Sequence, residues 1–220
     1  MKKNKKPKWT RKWHQFFFFF LRIVVFIFVK IFYKYKFEPV RIKKKQKYII
    51  ICNHQATLDP IFLGVAFNRL PYFVANDDLL HIKYASWWLS TFFGIIPKSK
   101  GKSDYKTVKT MLQVLKENGS VALFPEGNRT FTGELCYINP AIIKFIKNAK
   151  TDVLIYNIEG GYGVDPRWSR KLRQGKLKGR VRKILSYNEI DAMNLEDLEK
   201  TIKKSLNVFE VPSINEYKSK

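Results

Sequence analysis

Two rhythms of apolar and polar positions run along this chain. From residue 48 onward, short apolar runs at 48–52, 72–75, 121–124 and 153–158, with a shorter one near Ile95 and Ile96, are separated by stretches whose apolar residues recur every three or four positions. The runs read as buried strands and the stretches between them as helices, an α/β rhythm. One helix covers 58–67. Another starts behind Ser103, sets Val108, Met111, Leu112 and Leu115 on one face and ends at Gly119. A third begins at Asn139-Pro140 with Ile142, Ile143 and Ile146 inward, and a last one runs over 195–206 behind Asn194, with Leu195, Leu198, Ile202 and Leu206 aligned. The pattern shows no internal repeat. It predicts a single α/β domain with a central mixed, largely parallel sheet flanked by helices.

The first 46 residues follow a different rule. Seven Lys or Arg residues fall between Lys2 and Lys12, and 13 of the 14 residues at 16–29 are apolar, Arg22 being the exception. At about 0.3 to 0.6 kcal/mol each in a bilayer, these apolar residues outweigh the cost of one arginine, roughly 3 kcal/mol. Fourteen helical residues reach about 21 Å against a hydrocarbon core of about 30 Å, so a shallow or re-entrant helix is as well supported as a full span. Lys30, Lys34, Lys36, Arg41 and Lys43 to Lys45 restore positive charge on the far flank. No small-residue cleavage site follows, which argues against a signal peptide. The expected division is a basic and apolar membrane-anchoring segment at 1–46 and a domain at 47–220.

Composition sharpens the choice of partner. A chain of 220 residues with 45% hydrophobic content buries one sizeable core, and its formal net charge of +24 seeks an anionic surface. The basic residues concentrate around an apolar anchor, so an anionic membrane is favoured and no nucleic acid is expected. Cys52 and Cys136 form no disulfide or metal framework, which points to a reducing compartment. Three histidines without a Cys/His cluster argue against a zinc site. Cys52 beside His54 invites a thiol-nucleophile reading, but a Cys closing an apolar strand is usually core.

Two polar strings follow apolar runs. Asn53-His54-Gln55-Ala56-Thr57-Leu58-Asp59 comes after 48–52, and Phe124-Pro125-Glu126-Gly127-Asn128-Arg129-Thr130 closes the run at 121–124. Both lie where open α/β sheets place their ligands, at strand carboxyl ends. Asp59 is five residues beyond His54 and can return to it across one turn, holding the imidazole in one tautomer and stabilising the imidazolium. Such a pair activates a hydroxyl without a serine nucleophile.

The two strings, as NHxxxxD and FPEGxRT, resemble the first and third motifs of the glycerophospholipid acyltransferase family, of which the 1-acyl-sn-glycerol-3-phosphate acyltransferases are members. The resemblance spans roughly residues 47–168. Gly94-Ile95-Ile96-Pro97-Lys98-Ser99-Lys100 matches the second motif loosely, with Lys100 where the family more often has Arg. No Pro stands near 151–155, where the fourth motif belongs, so nothing is carried over from it. The resemblance implies an enzyme transferring a fatty acyl group from an acyl thioester, acyl-CoA or acyl carrier protein, to the hydroxyl of a lysophospholipid, with phosphatidic acid as product. It implies His54 and Asp59 as catalytic residues, Glu126, Gly127, Arg129 and Lys100 as substrate-binding residues, no bound cofactor or metal, and an active site on the cytoplasmic face of the cell membrane. Other readings are a different acceptor such as glycerol 3-phosphate, a non-enzymatic basic membrane scaffold, or a nucleic-acid-binding protein. Gly160-Gly161-Tyr162-Gly163 reads as a turn, and the basic tract 167–183 reads equally as a solvated loop or as a surface for lipid headgroups or the phosphates of coenzyme A.

Overall fold

A computed structural model of the chain describes residues 8–76, 91–98, 105–135, 137–169 and 171–207. Lys100, the Ser103 cap, Cys136 and the first seven residues lie outside the described residues. The elements in chain order are α1 (Lys12–Tyr33), β1 (Lys36–Phe37), β2 (Ile49–Cys52), α2 (Asp59–Ala66), β3 (Pro71–Asn76), β4 (Ile96–Lys98), α3 (Tyr105–Lys116), β5 (Ser120–Leu123), α4 (Pro140–Asn148), β6 (Val153–Glu159), α5 (Gly161–Val164), β7 (Lys178–Leu185), α6 (Tyr187–Ala192) and α7 (Leu195–Leu206). The strands form a seven-stranded sheet in the order β1-β7-β6-β2-β5-β3-β4. Every neighbouring pair is parallel except β6 with β7. The sheet is therefore mixed and largely parallel, flanked by helices.

The strands β2, β5 and β6 are apolar along most of their length, with Ser120 and Asn157 as buried polar exceptions, because the sheet buries both of their faces. Alternate side chains enter two cores. Ile49, Ile51, Val121, Leu123, Val153 and Ile155 pack on one face with residues of α3, α4, α6 and α7. Ile50, Cys52, Ala122, Leu154, Tyr156 and Ile158 pack on the other with α1 and α2. Neighbours β6 and β5 lie on opposite sides of β2, so the loops after β2 and β5 open side by side at their carboxyl ends.

Several expectations shift. The strand β7 falls inside the basic tract, where Lys178, Arg180, Arg182 and Lys183 are charged and Gly179 and Leu185 are buried; charge on its outward face masks the alternation. In α3, Val108 is exposed and Val114 is buried instead, and the Thr107 hydroxyl, on the buried side, donates to the Pro97 carbonyl at 2.6 Å. Leu195 is exposed at the start of α7, whereas Leu198, Ile202 and Leu206 are buried. The glycine turn continues into the short helix α5. The apolar segment at 16–29 is the middle of a longer helix, α1, whose 22 residues are long and apolar enough to cross a membrane.

Among the described residues, α1 is buried against the domain mainly along one stripe. Phe18, Val29 and Tyr33 are buried, Arg22 Nε donates to the Val65 carbonyl at 2.9 Å, and the rings of Tyr33 and Phe62 meet edge to face at 5.3 Å. Phe16, Phe19, Phe20, Ile23, Val24 and Ile27 face outward. A β-strand then follows directly: Lys36 pairs with Lys178 and Phe37 with Gly179, so the edge of the sheet is built from residues next to the apolar helix.

Candidate active site

Local sequence dictates the loop after β2. Asn53, buried, donates through Nδ2 to the Ile158 carbonyl and accepts from the Ile158 N–H at Oδ1, each at 2.8 Å, which binds the loop to β6. Four residues on, the chain turns into α2, and Asp59 is its first residue with Pro60 behind it. The Asp59 Oδ2 accepts from the backbone N–H groups of Gln55 at 2.6 Å and Ala56 at 2.7 Å. The same oxygen lies 3.0 Å from His54 Nδ1. Asp59 is fully buried, and His54 keeps part of its ring exposed. A side chain at Gly161 would bring its Cβ within 3.2 Å of Asp59 Oδ1, so the glycine lets α5 close over the carboxylate.

The loop after β5 is clamped to the first from two directions. Glu126 Oε1 accepts from the His54 N–H at 2.8 Å, and the Thr130 N–H donates to the His54 carbonyl at 3.0 Å. Phe124 stacks on the imidazole with ring centroids 4.4 Å apart. Gly127 turns at φ +70, a conformation glycine adopts without the steric cost of a side chain, and no neighbour lies within 4 Å of where a Cβ would stand. Burial pushes the Glu126 carboxyl up from the ordinary 4.5 to about 7; the bond from the His54 N–H opposes the shift and the nearby Asp59 adds to it. A small cavity beside Glu126 is lined by Asn53, Gln55, Thr130 and Leu135.

Glu126 and Arg129, three positions apart in the motif, are not paired with each other as a surface ion pair. Arg129 Nη1 instead lies 3.4 Å from Asp165 Oδ2, and that same oxygen accepts from the Thr57 N–H at 2.7 Å. Asp165 was invisible in the sequence as part of this site, because its partners lie 36 and 108 positions away. The site thus brings together His54, Asp59, Glu126, Gly127 and Arg129, while Lys100 lies outside the described residues. Cys52 is fully buried and burial pushes its thiol well up, which removes it as a nucleophile. Among the described residues no group of three or more His, Cys, Asp or Glu is placed to hold a metal.

Fold and comparisons together define an acyltransferase. The chain belongs to the Acyltransferase family, whose profile matches residues 36–158, more than half of its length. A probable 1-acyl-sn-glycerol-3-phosphate acyltransferase of Mycoplasma genitalium is 24% identical over 188 residues, covering 79% of this chain and 70% of that protein. The 1-acyl-sn-glycerol-3-phosphate acyltransferase of Saccharomyces cerevisiae is 34% identical over 95 residues, which are 41% of this chain and 31% of the yeast protein. The crystal structure of the 1-acyl-sn-glycerophosphate acyltransferase PlsC from Thermotoga maritima superposes with a TM-score of 0.64 over 90% of this chain and 82% of that one, at 19% identity, and so shares its fold. The chain is an O-acyltransferase resembling the 1-acylglycerol-3-phosphate enzymes.

Proposed function

We propose that the chain transfers a fatty acyl group from acyl-CoA or an acyl carrier protein thioester to the free hydroxyl of 1-acyl-sn-glycerol 3-phosphate, giving phosphatidic acid. The observation that carries this reading is the 3.0 Å pairing of His54 Nδ1 with Asp59 Oδ2. With Nδ1 held by the carboxylate, Nε2 meets the acceptor hydroxyl and takes its proton. The acceptor oxygen attacks the thioester carbonyl, a tetrahedral adduct forms, and the carbon–sulfur bond breaks. The departing thiolate then recovers the proton from the imidazolium, whose charge Asp59 offsets, so no acyl-enzyme is needed.

Arg129 and Lys100 hold the acceptor phosphate in this reading. Only one Arg129 nitrogen is placed toward Asp165, at 3.4 Å, and the planar guanidinium retains donors for phosphate oxygens. Glu126 and Gly127 shape the acceptor's berth, Glu126 by fixing the His54 backbone and Gly127 by leaving room above its turn. Positioning of this kind turns the attack into an effectively intramolecular step.

We further propose that residues 1–46 anchor the chain to an anionic membrane, at its cytoplasmic face, while 47–220 form the catalytic domain, with β1 of the anchor edging the sheet. Contacts at Phe18, Arg22, Val29 and Tyr33 run along most of α1, which supports a helix lying against the domain within one leaflet over one projecting across. The decisive experiment is acyl transfer by membranes carrying wild type or His54→Ala, with lysophosphatidic acid, other lysophospholipids and glycerol 3-phosphate as acceptors and both thioester types as donors. Diacyl product from lysophosphatidic acid that vanishes with His54→Ala supports the reading. No product from any pair, by protein shown to be folded and membrane-bound, overturns it.

A further inference from the structure

From Arg129 a run of side chains leads back to α1. The Arg167 Nη1 donates to the Arg129 carbonyl at 3.1 Å, and its guanidinium lies 4.3 Å from the Phe131 ring centroid. The Tyr162 hydroxyl donates to the Phe131 carbonyl, and Trp168 Nε1 donates to that hydroxyl, both at 3.0 Å. Arg173 lies 5.3 Å from the Trp168 ring centroid. Leu172 and Arg173 then line an open groove with Phe28, Phe32 and Tyr33 of α1. The path joins the apolar helix to the mouth of the site without a break.

Its outer surface has an unusual composition for a loop in water. Phe131 is 58% exposed, Trp168 58% and Leu172 59%. Residues 166–188 hold nine Lys or Arg and no Asp or Glu. Large amphipathic rings whose polar atoms are already bonded, an exposed leucine and an excess of cations, of which Arg180 is paired with Glu159, make up the chemistry of a bilayer interface.

We propose that Phe131, residues 162–169 and residues 171–173 form a second lipid-contacting surface, which seats the site mouth on the anionic leaflet beside α1. This deepens the reading of the chain as a membrane acyltransferase and rests on it. Rings and cations penetrate the headgroup layer around Arg129, so a single-chain acceptor reaches that arginine without leaving the leaflet. The phosphates of a coenzyme A donor offer the same charge but would have no use for the outward Leu172 and Trp168. Continuity with α1 favours the bilayer.

Two measurements on the full chain test it. Emission of the wild type minus that of Trp168→Phe, in phosphatidylcholine/phosphatidylglycerol vesicles, isolates Trp168. The expected result is quenching of that difference by lipids brominated on their acyl chains, and an unquenched difference overturns the proposal. The double variant Trp168→Ser/Leu172→Ser should lose about tenfold in rate with acceptor presented in the same vesicles, keep its rate within about twofold with a short-chain monomeric acceptor, and keep its donor KM. Equal loss with both acceptors, or a raised donor KM, overturns it as well. Should the wild type yield no product at all, the acyl-transfer reading fails, while quenching still decides the lipid surface.

Discussion

His54 stands between two carboxylates that the chain supplies in different ways. Asp59 collects its partners from its own loop, from His54, Gln55 and Ala56, so the arrangement closes within seven residues as the turn into α2 forms. Glu126 reaches across 72 positions to a single backbone N–H, and burial raises it to about 7. The first carboxylate belongs to a self-contained loop; the second depends on two loops having docked. In the proposed mechanism the first therefore serves the proton transfer, and the second holds the geometry in which it occurs.

The comparison breaks most visibly at its pivot. His54→Ala should cut the transfer rate by up to about 10⁴-fold with little change in melting temperature, measured by product formation alongside circular dichroism. Asp59→Asn should cost about 10³-fold in kcat, because the amide offers Nδ1 no negative charge and disturbs the tautomer; retention of more than a tenth of the wild-type kcat would refute its role.

Glu126→Gln should act on stability instead. A carboxyl raised from 4.5 to about 7 on folding binds more protons in the folded than in the unfolded state between those values. Stability is thus fully retained below about pH 4.5 and is lost as pH rises toward about 7, by about 3 kcal/mol at about 1.4 kcal/mol per pH unit. The glutamine keeps an acceptor for the His54 N–H without that loss. Urea midpoints of the variant should exceed those of the wild type at pH 8 and converge at pH 5; a constant gap would deny the titration. Smallest of all, Gly127→Ala should destabilise by about 1 kcal/mol through its φ of +70 alone, since no neighbour lies within 4 Å of a Cβ there.

This contrast also explains what the amino-acid sequence discloses. The five-residue spacing of His54 and Asp59 is visible because both ends of the interaction sit on one turn. The strands β2, β5 and β6 are visible because burial on both faces leaves them largely apolar runs. Distance and charge hid the rest. Asp165 holds Thr57 and Arg129 from a segment whose own neighbours are glycines and a proline, with no periodicity to mark it. The alternation of β7 is written in Lys and Arg, which read as solvent-facing loop until β6 is seen beside it. Gly161 looks like a turn residue; its small size matters for Asp59 only because β6 delivers it there.

The packing of α1 has one more consequence. Its partners Phe62 and Val65 belong to α2, the helix whose first residue is Asp59. In the proposed membrane-bound enzyme these contacts make the height of the His54–Asp59 pair above the lipid plane a property of side-chain packing. On that proposed reading an acceptor is sorted by how far its hydroxyl sits beneath the headgroups, and trimming Phe62 to a smaller residue should retune that depth.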